Sequence, residues 1–476
     1  MRKNLLLKTV FGTLLFVSAI FGQQTDSTYT LYSAETIKGM KALQSAALKS
    51  DYAYSRTRYF TNNIGPRLSG SPQSERAIEY VADEMRKLGL EVRLQPIMVP
   101  HWVRGEEKAS LVKFPGMATG TTQKLSITAL GGSTATPEAG LTAEVVVVQD
   151  FDELLSLGKK GVEGKIVFFN NKFDRRMAKA GKALEAYSIA GEVRRRGVIE
   201  ATKLGAVACV IRSVGSSENR LAHTGGIGFE PGLKNVPAAA VSFEDGELIS
   251  HLAGEGLLEM HLVLTPKTLP DKRSYNVIAD LKGTEKPDEV IVVSGHLDSW
   301  DLGTGALDDA VGVAMAMQVP KLIKDLGLKN LRTIRVVAFM NEENGFRGAR
   351  KYAEEADIGK HFAAIESDLG ASHPVGFLFA GKQEAMNFLR PISAVLTSQG
   401  AGYIERKPNV SSDISLLTAR GVPSFAPFYD SREYFNYHHN AADTFDKVNP
   451  KDLAENAALM AVIAYGLSNL ERPLPR

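Results

Sequence analysis

"EVIVVSGHLDSWDLGTGALDD", Glu289 to Asp309, decides how this chain is read. Val290–Val293 are apolar and β-branched, as in a buried strand. One histidine and four aspartates follow within the stretch. Charge at the end of a buried strand is costly unless a partner neutralises it. A bound metal or a proton-transfer role would supply that partner. His296 and Asp298 lie two apart in extended chain and so share a face. That makes Asp298 a group that orients the imidazole rather than a ligand. Gly303 and Gly305 let the backbone come close to a ligand. Asp308 and Asp309 are adjacent and point in different directions, so one of the two is the ligand. Asp301 has no assigned chemistry, and Asp309 is expected only to shape the turn.

Outward from this stretch, "SYNVIADLKG" precedes the strand. After it come a helix from about Asp309 to Leu326, the strand "TIRVVAFM", and a helix around Gly345–Ala356. The strand "FAAIESD" and a final helix, "NAALMAVIAYGLSNL", complete the series. Such alternation predicts an α/β fold with a mostly parallel central sheet flanked by helices. Between about Lys124 and Thr268 the texture changes. Short strands ("AEVVVVQ", "GKIVFFN", "AVACVIR", "VPAAAVS") are joined by Gly-rich and charged connections, which predicts a compact inserted module. Arg194–Arg196 in its helix read as a solvated face. Upstream, Ile78, Val81, Met85 and Leu88 follow helical spacing, and Gly89 stops the helix.

The polar residues at the strand ends converge. The first strand ends in His296 and Asp298. The second ends in "NEEN", with Glu342 and Glu343, and the third in "ESD", with Asp368. A later loop, "YHHNAADT", holds His438 and His439. Ligands of open α/β sheets gather outside the carboxyl ends of the strands, so four segments aim at one rim. Two histidines and three carboxylates suit a pair of zinc ions. Such a pair retains net positive charge and activates water, and a further glutamate would then serve as general base.

Together, "SGHLDSWDLGTGALDD", "NEENG", "ESDLG" and "HHNAADT" resemble the active-site signatures of the co-catalytic zinc aminopeptidase and glutamate carboxypeptidase family. "MVPHWVRGEE" (Met98–Glu107), "FDEL" (Phe151–Leu154), "IRSV" and "HTGG" extend the resemblance to one branch of that family, from about Tyr54 to the C-terminus. The resemblance implies a zinc exopeptidase fold with an inserted protease-associated domain, two zinc ions per chain, a peptide substrate and a homodimer. The expected division is a peptidase domain in two parts, residues 23–123 and 269–476, with the insert at 124–268. Residue by residue, the resemblance implies Asp308 as the carboxylate bridging both zincs. Glu343 and His439 would complete one ion, His296 and Asp368 the other, with Glu342 as general base. His439 is selected over His438 because the family's ligand lies four residues before the aspartate of "DT", here Asp443. Several members carry a tyrosine before that histidine, where it polarises the oxyanion. Here His438 stands in its place.

The rest of the chain bounds this reading. "MRKNLLLKTVFGTLLFVSAIFG" has a basic start and an apolar stretch, so residues 1–22 read as a secretory signal peptide and the protein as exported, periplasmic or secreted. The single cysteine, Cys209, sits in an apolar run, which excludes a disulfide framework. A net charge of +2 and the lack of basic runs interleaved with aromatics give no case for nucleic acid. Nothing after the leader reads as a membrane span. There is no H-E-x-x-H, G-x-S-x-G or P-loop, which argues against other hydrolases and nucleotide chemistry. The expected activity is hydrolysis of dipeptides or short peptides in a dipeptidase or carboxypeptidase mode. An aminopeptidase on the same scaffold is the nearest rival. A receptor-like binding protein would have lost ligands, and all five positions are filled. Acyl-transfer cyclisation on the same fold is disfavoured by the complete two-metal set. His223 in "AHTGG" reads equally as a surface loop residue or as one reaching the cleft. Ser411, Ser412 and Asp413 lie on an expected substrate-side loop without an assigned role.

Overall fold

The computed structural model describes residues 31–476, so the expected signal peptide lies outside the described residues. Eight strands form the sheet that carries the opening stretch. In chain order they are β1 (Glu91–Val103), β2 (Lys267–Leu281), β3 (Lys286–His296) and β4 (Arg332–Phe339). Then come β5 (His361–Glu366), β6 (Pro374–Ala380), β7 (Tyr403–Arg406) and β8 (Ser424–Tyr429). Their spatial order is β1-β2-β4-β3-β5-β8-β6-β7. The four central strands, β4, β3, β5 and β8, run parallel. β1 against β2, β2 against β4 and β8 against β6 are antiparallel. The expectation of a mostly parallel sheet is therefore corrected to a mixed one. The reason is connection length. A parallel return needs a crossover of about a dozen residues or more. The links 282–285 and 367–373 are shorter, so β2 and β6 run against the strands that follow or precede them.

β3 is apolar at every central position because both faces of the sheet are covered. Ile291 and Val293 pack into the large core with the helices Ala34–Ala47, Val311–Asp325 and Pro450–Ser468. Val290 and Val292 pack on the other face, with Phe339 and with Tyr352 and Ala353 of the helix Arg347–Glu355. The helix Pro450–Ser468 is buried nearly all round from Leu453 onward, which explains its almost unbroken apolar sequence.

A second eight-stranded mixed sheet draws its strands from between Glu107 and Leu264. Its strand Glu107–Lys113 lies ahead of the expected boundary at Lys124. The chain enters it after β1 and leaves it into β2, and those two strands pair along almost their whole length. Trp300, from the opening stretch, is buried in the core of this second sheet beside Trp102 and Leu68. No helix among the described residues is long and apolar enough to cross a membrane.

Leu459 is fully buried in the core helix Pro450–Ser468. Leu459→Ala should destabilise the fold by about 2–5 kcal/mol through lost burial and a residual cavity. The measurement is the urea unfolding midpoint. An unchanged midpoint would show that this helix is not part of the cooperative core.

Candidate metal centre

The four parallel strands end at one rim, and the turns that follow them bring the expected residues together. His296 is the last residue of β3. Glu342 and Glu343 follow β4 after Asn341, whose φ of 75° starts the turn. Asp368 follows β5. His438 and His439 follow the short helical turn Tyr434–Asn436 beyond β8. Asp308 sits between the two sides: Oδ1 is 3.1 Å from His296 Nε2 and Oδ2 is 3.3 Å from His439 Nε2. His296 Nε2 is also 3.0 Å from Asp368 Oδ1, and His439 Nε2 is 3.0 Å from Glu343 Oε2. Five side chains thus form two clusters that share Asp308. Glu342 lines the same cleft, a space of about 980 Å³ between the two sheets.

Both imidazoles are held the same way. His296 Nδ1 lies 3.0 Å from the main-chain carbonyl of Asp298, and His439 Nδ1 lies 3.3 Å from that of Thr224. A carbonyl only accepts, so each Nδ1 donates. In the neutral ring this leaves the Nε2 lone pair facing Asp308, the orientation a ligating histidine needs.

Each acid of the opening stretch has a distinct job. Asp298 Oδ1 accepts from the amides of Asn341 (2.7 Å) and Glu342 (3.1 Å), and Oδ2 accepts from Ser69 Oγ (2.9 Å) and the Glu343 amide (3.4 Å). Its carboxylate is 4.0 Å from His296 Nδ1. The expectation that this carboxylate orients the imidazole is therefore corrected. Its carbonyl does so, and its carboxylate builds the Glu342–Glu343 turn. Asp301 binds Arg104 through Nε at 2.9 Å and Nη2 at 2.5 Å. Asp309 Oδ2 accepts from the His296 amide at 3.0 Å, and Oδ1 from the Gly312 amide at 2.9 Å. A Cβ on Gly295 would lie 2.6 Å from Asp309 Oδ2, so that glycine makes room for the carboxylate. The Asp308–Asp309 peptide is cis.

Other expectations change on contact with the second sheet. Arg195 and Arg196 are exposed, but Arg194 is buried, so the solvated-face reading of this run is corrected. Arg194 Nη2 donates to Tyr187 Oη at 2.8 Å and Nη1 to the Thr224 carbonyl at 3.3 Å, while Nε has no partner. A Cβ on Gly225, at φ 137°, would collide with this guanidinium. His223 is neither a surface residue nor a cleft residue. It is buried behind the histidine loop with Nε2 3.0 Å from Asn440 Nδ2, and burial lowers its pKa to about 3. His438 stacks on His439 with ring centroids 3.5 Å apart, and its Nε2 is 3.5 Å from Asp308 Oδ2. Ser412 Oγ donates to Asp368 Oδ2, and Ser411 bonds Glu366. Asp413 is buried near Glu366 with neither carboxylate oxygen hydrogen-bonded.

Three contributors had no role assigned from the sequence. Arg67 is fully buried and donates to the carbonyls of Gly65, Leu297, Thr304 and Gly305, which fixes both ends of the glycine turn. Burial lowers its pKa to about 10 against the pull of Asp443 and Asp298. Ser69 holds Asp298 and Asn341. Asp443 accepts from the amides of Ala306, Leu307 and Asp308, and so cradles the turn that presents Asp308. Its place four residues after His439 was the one signal available for it.

The electrostatics test whether a cation fits. Burial raises the carboxyl pKa values of Asp308, Glu342 and Glu343, and neighbouring carboxylates push them further. Burial opposes a charge on His296, but Asp368 and Asp308 outweigh it and hold the ring well above its usual value. Burial pushes His438 and His439 well below theirs, with Arg194 adding to both. The cluster holds more carboxylates than its own cations balance. Asp308 Oδ2 is buried and accepts no hydrogen bond, since the facing His439 spends its Nδ1 proton on Thr224. An orphaned carboxylate oxygen among imidazole nitrogens and further carboxylates fits metal ions of the zinc type.

The model of peptidase family M28 matches residues 276–464, the span that contains all five clustered residues. The chain is 37% identical to carboxypeptidase Q of Bos taurus, over 89% of this chain and 87% of that protein. It is 36% identical to carboxypeptidase Q of Homo sapiens with the same coverage. Among solved structures, a peptidase M28 precursor from Shewanella amazonensis superposes with a TM-score of 0.86 at 36% identity, covering 93% of this chain and 99% of that one. A zinc aminopeptidase from Bacillus subtilis shares the fold, with a TM-score of 0.64 at 19% identity over 89% of this chain and 98% of that one. Strand ends, shared carboxylate and sequence similarity along nearly the whole chain lead to one assignment: it belongs to peptidase family M28.

Proposed function

We propose that this peptidase is an exported two-zinc exopeptidase that hydrolyses dipeptides or short peptides ending in a free carboxylate. The observation that carries the reading is Asp308, buried between two imidazoles with one oxygen towards each. In this reading His296 and Asp368 would hold one zinc and Glu343 and His439 the other, with Asp308 serving both groups. Bound there, the ions would polarise the scissile carbonyl and lower the pKa of the attacking water. Glu342 takes the proton of that water and returns it to the leaving amine. Its burial, which raises its pKa well above the ordinary carboxyl range, suits a group that must both accept and release a proton. Asp298 keeps Glu342 and Glu343 in register through their amides. His438 lines the cleft beside Asp308 and is placed to donate to the oxyanion. The second sheet is taken as the family's protease-associated insert.

Arg194 supports the carboxypeptidase or dipeptidase direction. Its guanidinium lines the cleft, is buried and has no carboxylate among its partners. A buried cation without counter-charge is costly, and a substrate carboxylate would supply that charge. The carboxypeptidase Q relatives favour the same direction.

Glu342→Gln should lower kcat about 10²–10⁴-fold while zinc content stays at the wild-type level; a variant that kept most of its turnover would remove Glu342 as the base. Chelation should abolish dipeptide hydrolysis and added zinc should restore it, whereas full activity of metal-free protein would sink the mechanism. Dipeptides with a free or an amidated C-terminus separate the two directions. The free acid should be preferred, and Arg194→Gln should erase the preference mainly through KM. Cleavage of amidated but not N-acetylated peptides would establish an aminopeptidase instead.

A further inference from the structure

The dipeptide Trp300–Asp301 ties the two sheets together at the metal centre. The Trp300 amide donates to Glu343 Oε1 at 3.3 Å, and its ring meets His439 edge-on at 5.8 Å between centroids. A Cβ on Gly131, in the second sheet's loop, would collide with that ring. Asp301 binds Arg104, which lies nine-tenths buried between the sheets. The same guanidinium donates from Nη1 to the Ala129 carbonyl (2.6 Å), Thr128 Oγ1 (2.8 Å) and Glu107 Oε1 (3.0 Å). From Nη2 it reaches Thr224 Oγ1 at 3.3 Å, and Thr224 Oγ1 in turn donates to Ala129 O at 2.9 Å. Thr224 then grips the histidine loop by its main chain. Its amide donates to the His439 carbonyl at 2.9 Å, and its carbonyl takes His439 Nδ1. His439 has φ 61°, a conformation that non-glycine residues hold only where surrounding contacts fix it.

We infer that Arg104 and Asp301 are a positioning pair for His439, acting through Thr224, so that the second sheet is a working part of one of the two metal sites. This rests on the two-zinc reading above. The pair touches neither metal nor substrate. Through the Thr224 hydroxyl, and together with Arg194, which donates directly to the Thr224 carbonyl, it holds that carbonyl in place, and the carbonyl sets the ring angle and tautomer of His439. The site built from His296 and Asp368 has its own carbonyl, from Asp298, and does not depend on the pair.

The test uses the full chain, stripped of metal and titrated with Co²⁺ by visible absorption and with Zn²⁺ against a chromophoric chelator. Wild type should take up two ions. Asp301→Asn should weaken one site about 10–100-fold, the range typical of lost outer hydrogen bonds to a ligand, and leave the other at wild-type affinity. Thr224→Val removes only the hydroxyl contacts and should shift the same site by a smaller factor. It serves if Asp301→Asn folds poorly by circular dichroism. Two unaltered sites in both variants, or two sites weakened equally, would overturn the coupling. Fewer than two ions on wild type would instead overturn the two-zinc reading, and the coupling with it.

Discussion

The rim of this protein is governed by one constraint: more buried carboxylates than buried cations to balance them. Asp308, Glu342 and Glu343 are all pushed above ordinary carboxyl values by burial, and neighbouring carboxylates push the same way against the pull of His296. A fold can tolerate that excess only if something positive completes it or if the groups stay protonated. The surrounding structure is arranged for the first solution. Main-chain carbonyls hold the two imidazoles, main-chain amides hold Asp298 and Asp309, and Asp443 cradles the turn that presents Asp308. The protein spends its fixed dipoles on the supports and leaves the inner oxygen of Asp308 unpaired.

Much of this was legible in the sequence because strand ends are legible. An apolar run that stops at a histidine or a pair of glutamates marks both the strand and the rim. Three such runs and one histidine loop marked the same rim, and the structure brings His296, Asp308, Glu343, Asp368 and His439 together there. Sheet direction was legible in part. The central parallel strands follow from alternation with helices, whereas the antiparallel flanks depend on links too short for a crossover, a signal the strand pattern does not carry. The mixed sheet leaves the chemistry unaffected, since every strand that feeds the rim belongs to the parallel set.

What the sequence hid was anything held by the main chain or reached across the two sheets. Nothing in the identity of Thr224 announces that its carbonyl will orient an imidazole, because every residue has a carbonyl. Arg194 looked like one of three solvated arginines; only packing shows that it turns inward while Arg195 and Arg196 stay out. Arg67 and Ser69 sit in a Gly- and Pro-bearing stretch without periodicity, yet they hold the glycine turn and Asp298. Asp301 and Asp309 had no assigned chemistry because their partners, Arg104 and the Gly312 amide, become neighbours only after folding.

The pairing of β1 with β2 places Val103 opposite Lys267, so the chain leaves the peptidase sheet and comes back to it at a single point. A segment whose two ends are neighbours can grow or shrink with little entropic consequence, since doubling a closed loop costs only about 0.6 kcal/mol. The outer parts of the second sheet are thus free to vary in length and surface while the peptidase strands keep their register. That freedom ends at Thr224 and Arg104. An insertion on the far side of the sheet changes a surface, but one that moves these two residues changes the coordination chemistry on the opposite wall of the cleft.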